Sequence, residues 1–130
     1  MGTRILLWAL SNDPKLPSRT RIIIEEDGND IYYSVISIWE VALKHRAHPA
    51  QLTLTAQETS IYCRMAGFKR LSVEESHTFY LDSLHRPSDA PAHKDPFDRM
   101  LISQAKAEGL MFLTHDALLP YYGEACVVYV

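Results

Sequence analysis

Short β-branched and aromatic segments alternate with amphipathic segments along this chain of 130 residues, and this alternation is what most constrains its fold. Residues 31–35 (Ile-Tyr-Tyr-Ser-Val) predict a strand. A helix is predicted to begin at Ser37, because Ser37 and Glu40 have the spacing of a capping box. Strands that alternate with helices favour one α/β domain over all 130 residues, with helices flanking a mostly parallel central sheet.

The helix predicted at 96–108 has sequence signals at both its start and its end. Asp95 is a natural N-cap, Pro96 suits the first helical position, and Gly109 is typical of a helix end. An apolar strand is predicted directly after it, at 110–114. The apolar segment at 4–10 could form a helix or a strand. Further helices are predicted at 19–27, 55–66 and 74–84, the last with Phe79 and Leu84 facing inward. Further strands are predicted at 68–73 and 126–130.

Composition limits the classes of function. The chain has 13 Lys and Arg against 16 Asp and Glu, a formal net charge of -3, so it lacks the overall basicity of a protein that coats nucleic acid through bulk charge. Cys63 and Cys126 stand alone and fit no metal-ligand spacing, which is typical of buried free thiols in a reducing cytosol. There is no apolar run of roughly 18 residues and no signal-peptide pattern, so we expect a soluble, cytoplasmic protein without a membrane partner.

Three acids occupy equivalent places in the alternating pattern. Glu40 follows the first predicted strand, Asp98 lies in the first turn after Pro96, and Asp116 follows the strand at 110–114. The carboxyl ends of parallel strands share one edge of a sheet, so these carboxylates are expected to converge. Converging carboxylates repel one another unless a hard cation such as Mg2+ or Mn2+ neutralises them. The alternative for each acid is a purely structural role at a helix N-terminus.

Other reaction chemistries lack their residues. The chain has no Gly-rich phosphate loop, no G-x-S-x-G motif and no Cys with a persuasive His partner. Four histidines near the predicted loops lack the spacing of zinc ligands: His45, His48, His93 and His115.

Three stretches together resemble the PIN-domain ribonucleases of the VapC toxin type. They are Ser34–Lys44, His93–Arg99 and Leu113–Asp116. The most specific part is the Asp-Pro-Phe-Asp-Arg block with a Thr-x-Asp whose acid lies 18 residues after the second Asp of the block. The resemblance covers nearly the whole chain and implies a three-layer α/β sandwich.

The resemblance also implies an activity, a cofactor and partners. Members of the family are Mg2+- or Mn2+-dependent endoribonucleases, usually paired with a VapB-like antitoxin whose C-terminal segment fills the active-site groove, and a homodimer is implied. Glu40, Asp98 and Asp116 match three of the four family acids and are the expected catalytic residues and metal ligands. The expected supporting residues are Asp95, Thr114, Ser37 and Arg99.

The sequence departs from the family pattern at its beginning. The family has an apolar strand that runs into Asp-Thr-His, whereas Met1 and Gly2 precede Thr3 here, so Gly2 stands where the first catalytic Asp belongs and that strand is absent. Three explanations are open: a truncated or mis-started active enzyme, a natural degenerate copy, or a strand at 4–8 with Asp13 as a substitute acid.

Two functions follow from these residues. The first is RNA cleavage, in which basic residues at the sheet edge would contact phosphates: Arg4, Lys44, Arg46, Lys94 and Arg99. The second is a catalytically silent binding module that sequesters an antitoxin or RNA, with Trp8, Trp39 and Tyr62 as candidate interface residues, although core packing is the alternative for each.

Overall fold

The structure, a computed structural model, describes residues 1–130. Helices and short parallel strands alternate along it, as predicted. The six helices are α1 (Thr3–Leu10), α2 (Ser18–Glu25), α3 (Val35–Ala47), α4 (Ala56–Met65), α5 (Glu75–Phe79) and α6 (Pro96–Glu108), and the four strands are β1 (Tyr32–Ser34), β2 (Lys69–Leu71), β3 (Phe112–Thr114) and β4 (Val127–Tyr129). None of the six helices has both the length and the hydrophobicity that a membrane span requires.

The strands form two separate two-stranded parallel sheets. β1 pairs with β2, with Tyr33 opposite Arg70, and β3 pairs with β4, with Leu113 opposite Val128. The α/β class and the parallel pairing are therefore confirmed, but the single central sheet is divided. A groove of about 270 Å3 lies between β1 and β3, and the Gly2 N–H donates to the Leu113 carbonyl oxygen (2.8 Å) at the edge of β3.

The largest hydrophobic cluster surrounds α6. Leu101 and Ile102 of this helix pack with Phe112 of β3 and with Leu119, and Ile102 and Leu119 are completely buried. The helix has the predicted bounds, because Asp95 caps its N-terminus and Gly109, with φ of 67°, adopts the left-handed conformation after its last residue. This packing fixes the first turn of α6, which carries Asp98 of the predicted site, against the core.

The predicted start of α3 was wrong. The helix begins at Val35, because the Ser34 hydroxyl accepts the Ile36 N–H (3.0 Å) and acts as N-cap. Ser37 is therefore completely buried inside the helix, and Glu40 is its sixth residue and not a member of a capping box. The structural alternative for Glu40, a carboxylate at a helix start, is thereby excluded.

The segment at 4–10 is helical, so the explanation that places a strand at 4–8 is wrong. Ile5 and Leu6 are both buried, each in a different hydrophobic cluster, which gives α1 its place in the core. Asp13 accepts the Lys15 N–H (2.8 Å) in the turn that follows. The inward orientation of Phe79 was also wrong, since Phe79 is 64% exposed where α5 gives way to the 3-10 turn Tyr80–Ser83.

The remaining elements are close to their predicted positions. The capping box of Thr55 and Glu58 at the start of α4 is confirmed. Helix α2 ends at Glu25, three residues before Gly28, and the strands are shorter than predicted. Both thiols are free, as predicted, and Cys63 is buried, whereas Cys126 is only half-buried and not buried as predicted.

Candidate metal centre

One cavity of about 680 Å3 collects all three predicted acids. Glu40 comes from α3, Asp98 from the first turn of α6, and Asp116 from the chain after β3. Asp95 and Thr114 also line the cavity. The convergence that the alternation of strands and helices predicted is therefore present in the fold.

Asp98 is positioned by the local sequence of its helix. The Asp95 carboxylate accepts the backbone N–H groups of Phe97 (2.9 Å) and Asp98 (3.2 Å), which fixes the first turn. Asp98 is then the third residue of α6, with its side chain only 18% exposed. Asp95 therefore acts on Asp98 both through the helix start and through its own charge.

The most compact group of potential metal ligands contains a residue that the sequence did not single out as a ligand. Three potential ligand atoms lie within 4.8 Å of one another, one each from His93, Asp98 and Asp116. His93 Nε2 is 3.3 Å from Asp98 Oδ2, and the His93 side chain is 4% exposed. Zinc-type spacing could not reveal this histidine; its position two residues before the helix cap was the available signal.

Glu40 lies in the same cavity but outside that compact group. Its buried carboxylate accepts a hydrogen bond from the Thr3 hydroxyl (2.6 Å) and forms an ion pair with Lys44 one helical turn later. Thr3 Oγ1 also lies 3.0 Å from the Ser37 hydroxyl, so the supporting position expected for Ser37 is beside Glu40. The sequence did not identify Thr3, because its contact crosses from α1 to α3.

The cavity concentrates negative charge around Asp98. Burial, together with the charges of Asp95 and Glu40, raises the pKa of Asp98 to about 6, and the hydrogen bond from His93 opposes the increase. Carboxylates that raise one another's pKa are the arrangement that a divalent cation relieves. The donor set therefore fits a metal ion.

Asp116 has a second, structural contact. The Thr114 hydroxyl accepts the Asp116 N–H (3.0 Å), and the Asp116 carboxylate accepts the Leu118 N–H (2.9 Å). These bonds hold the turn after β3 and aim the carboxylate toward Asp98. Asp116 thus combines a structural role in this turn with a place in the candidate site.

The predicted basic residues divide into two sets. Arg4 and Lys44 line the cavity, whereas Arg46 and Lys94 are exposed outside it. Arg99 donates to the Tyr122 hydroxyl (3.3 Å) and to a backbone carbonyl, away from the cavity lining. Only the first set is placed to meet a phosphate bound there.

Gly2 is buried in the wall of the same cavity. A Cβ at this position would lie 3.6 Å from the Leu113 oxygen and 3.9 Å from Thr114 Oγ1, which are ordinary contacts. The backbone angles of Gly2 (φ -61°, ψ 153°) are extended and suit any residue. A Cβ is therefore sterically tolerated here.

The family model of the PIN domain matches residues 3–124, and the chain belongs to this family. Among solved structures, the crystal structure of VapBC2 from Rickettsia felis bound to a DNA fragment from their promoter contains a chain with the same fold. The two chains are 16% identical, with a TM-score of 0.66 and coverage of 99% of this chain and 94% of the other. No curated protein has a sequence that matches this chain significantly.

Proposed function

We propose that this chain is a VapC-type, Mg2+- or Mn2+-dependent endoribonuclease that acts in the cytoplasm as the toxin of a toxin–antitoxin pair. The observation that carries the proposal is the convergence of Glu40, Asp98 and Asp116 in one cavity of a PIN-domain protein. The fit of the donor set to a divalent cation supports the same function.

The residues have separable roles in this proposal. A bound cation supplies Lewis acidity, which lowers the pKa of a water molecule and stabilises charge on a phosphodiester. Asp98 and Asp116 would hold it, with Glu40 facing them across the cavity. Arg4 and Lys44 would contact RNA phosphates, which positions the backbone without selecting a base.

Two features of this chain weaken the site. Gly2 supplies no carboxylate to the cavity wall, and the Lys44 ammonium already neutralises Glu40. A divalent cation must therefore compete with an internal cation and is held by fewer charges. We expect weak metal binding and low activity.

The metal centre is tested by calorimetric titration with Mn2+. We expect Asp98→Asn to abolish measurable binding, whereas Asp82→Asn, which changes an exposed acid outside the cavity, leaves the affinity unchanged. Circular dichroism confirms that both variants are folded. Absence of Mn2+ binding by the original chain, or equal binding by both variants, would refute the proposal.

A catalytically silent binding module is the second candidate function. The charge pairing of Glu40 with Lys44 favours it, as does an exposed apolar surface beside the cavity, where Trp39 is 54% exposed and Leu43 46% exposed. Tyr62 on α4 is 43% exposed, whereas Trp8 packs edge-on against His115.

RNA cleavage in Mn2+ separates the two functions. The original chain is compared with Gly2→Asp, which adds a carboxylate where a Cβ makes only ordinary contacts. Cleavage by the original chain that Asp98→Asn removes supports the nuclease. Cleavage by Gly2→Asp alone supports the silent module.

The proposed partners are RNA, a VapB-like antitoxin and a second copy of the chain. The similar solved structure is a VapBC complex, which supports an antitoxin as partner. An antitoxin segment that entered the cavity would pass Leu43, which lines it, and would meet Trp39 on the same helix. Light scattering after size exclusion tests the homodimer, and a monomeric mass at micromolar concentration would contradict it.

A further inference from the structure

The buried imidazole of His93 lies beside two carboxylates of the cavity, those of Asp98 and Asp116. The geometry points to His93 as a nitrogen ligand of the metal ion, beside Asp98 and Asp116, and to a site that prefers Mn2+ or a later transition metal to Mg2+. This inference rests on the metal-dependent function proposed above and goes beyond the carboxylate set expected from the sequence.

His93 is turned inward from a segment that otherwise faces solvent. Its neighbours Ala92 and Lys94 are exposed, but its own side chain is only 4% exposed. The inward orientation places Nε2 3.3 Å from Asp98 Oδ2 and one ring nitrogen within 4.8 Å of an Asp116 oxygen. A histidine that only filled space in the core would not need to contact Asp98 and to lie near a second acid.

The other face of the imidazole is held by Tyr122. His93 Nδ1 lies 2.7 Å from the Tyr122 hydroxyl, and the two rings meet edge-on with centroids 5.5 Å apart. The guanidinium of Arg99 can only donate, so the Tyr122 oxygen accepts from Arg99 (3.3 Å). Its remaining lone pair is available to accept a proton donated by His93 Nδ1.

This contact can hold the tautomer that a metal ligand requires. In the metal-free site His93 Nε2 donates a hydrogen bond to Asp98, and a bound cation would take the place of that proton. With its ring proton on Nδ1, the neutral imidazole would donate to Tyr122 and present the Nε2 lone pair to the cation. Metal-bound histidines typically donate their second nitrogen to an oxygen in this way, which fixes the ring and raises its basicity. Tyr122 is therefore a positioning residue.

A nitrogen ligand changes which ion the site selects. Mg2+ demands oxygen ligands and gives up its water reluctantly, whereas imidazole suits transition metals, with affinity rising from Mn2+ to later members of the series. Glu40 does not restore an all-oxygen set, because Thr3 and Lys44 already bind its carboxylate. Two carboxylates and one imidazole are the resulting set.

Pulsed EPR of the Mn2+-loaded chain tests the inference through the magnetic coupling of bound nitrogen. We expect a 14N coupling in the original chain that is lost in His93→Gln, together with a Mn2+ affinity at least about tenfold weaker. Tyr122→Phe should keep the coupling and weaken Mn2+ binding by about 10–100-fold. His48→Gln, an exposed residue lining the same cavity, should change neither quantity.

The possible results separate this inference from the proposed function. Mn2+ binding that depends on Asp98 but shows no nitrogen coupling in the original chain overturns the role of His93 alone. Retention of the nitrogen coupling in His93→Gln also overturns the role of His93 as a ligand. Mn2+ binding that Asp98→Asn leaves intact overturns the metal centre itself. The spectrum of the original chain decides the question even if His93→Gln does not fold.

Discussion

Asp95 has two roles in the structure, and a pair of substitutions separates them. Its carboxylate caps α6 by accepting the N–H groups of Phe97 and Asp98, and its charge raises the pKa of Asp98. Asp95→Ala removes the cap and the charge together. Asp95→Asn keeps an oxygen that accepts the same hydrogen bonds and removes only the charge.

The cap determines the expected loss of stability. Replacing an N-cap Asp by Ala costs about 1 kcal/mol in the free energy of unfolding. With an unfolding entropy of about 2.1 cal/mol/K per residue, a chain of 130 residues loses about 4 °C in Tm for each kcal/mol. We expect this decrease for Asp95→Ala and a change within about 0.5 kcal/mol for Asp95→Asn, where a similar cap remains.

Metal-free thermal unfolding, followed by circular dichroism at neutral pH, is the appropriate assay. Asp89→Ala, in the exposed loop before α6, is the control and should leave Tm unchanged. Equal destabilisation by Asp95→Asn and Asp95→Ala would refute the capping argument. Titration of Asp98 by NMR adds a second measurement, in which Asp95→Asn should lower the pKa of Asp98 because it removes a neighbouring negative charge.

The core, a helix end and a thiol give three further predictions. Ile102→Ala should cost about 2–5 kcal/mol in denaturant unfolding, because Ile102 is fully buried, whereas Met111→Ala, at a side chain 61% exposed, should cost under about 0.5 kcal/mol. Gly109→Ala should cost about 1 kcal/mol in the same assay, because φ of 67° is strained for a residue with a Cβ, and an unchanged midpoint would contradict this. Burial raises the pKa of Cys63 from 9.0 to about 12, so iodoacetamide should modify it slowly at pH 8 until the chain unfolds. Because the pKa of Cys63 is higher in the folded state, its contribution to stability is complete below pH 9 and is lost as pH rises toward 12.

Local interactions explain which elements could be predicted. The bounds of α6 follow from Asp95, Pro96 and Gly109, since capping and a left-handed helix end involve residues only a few positions apart. The prediction of where α3 begins was wrong because Ser34 and Ser37 are both acceptable N-caps. Ser34 is the one used, because β1 ends at this residue. Sequence patterns of short range cannot decide between two such candidates.

The α/β class, the family resemblance and the choice of Glu40, Asp98 and Asp116 as site residues can all be derived from the sequence. These follow from periodicity, from capping and from a specific motif, all of which are written along the chain. Their expected chemistry, a divalent cation among carboxylates, also follows from residue type alone.

The grouping of those acids depends on tertiary packing. It joins His93 to Asp98 and Asp116, and it leaves Glu40 with Thr3 and Lys44. It also divides the strands into two sheets and closes the cavity wall with Gly2. The physical reason is that ligand geometry depends on distances of a few ångströms between segments far apart in sequence, and those distances are set by how α1, α3 and α6 pack.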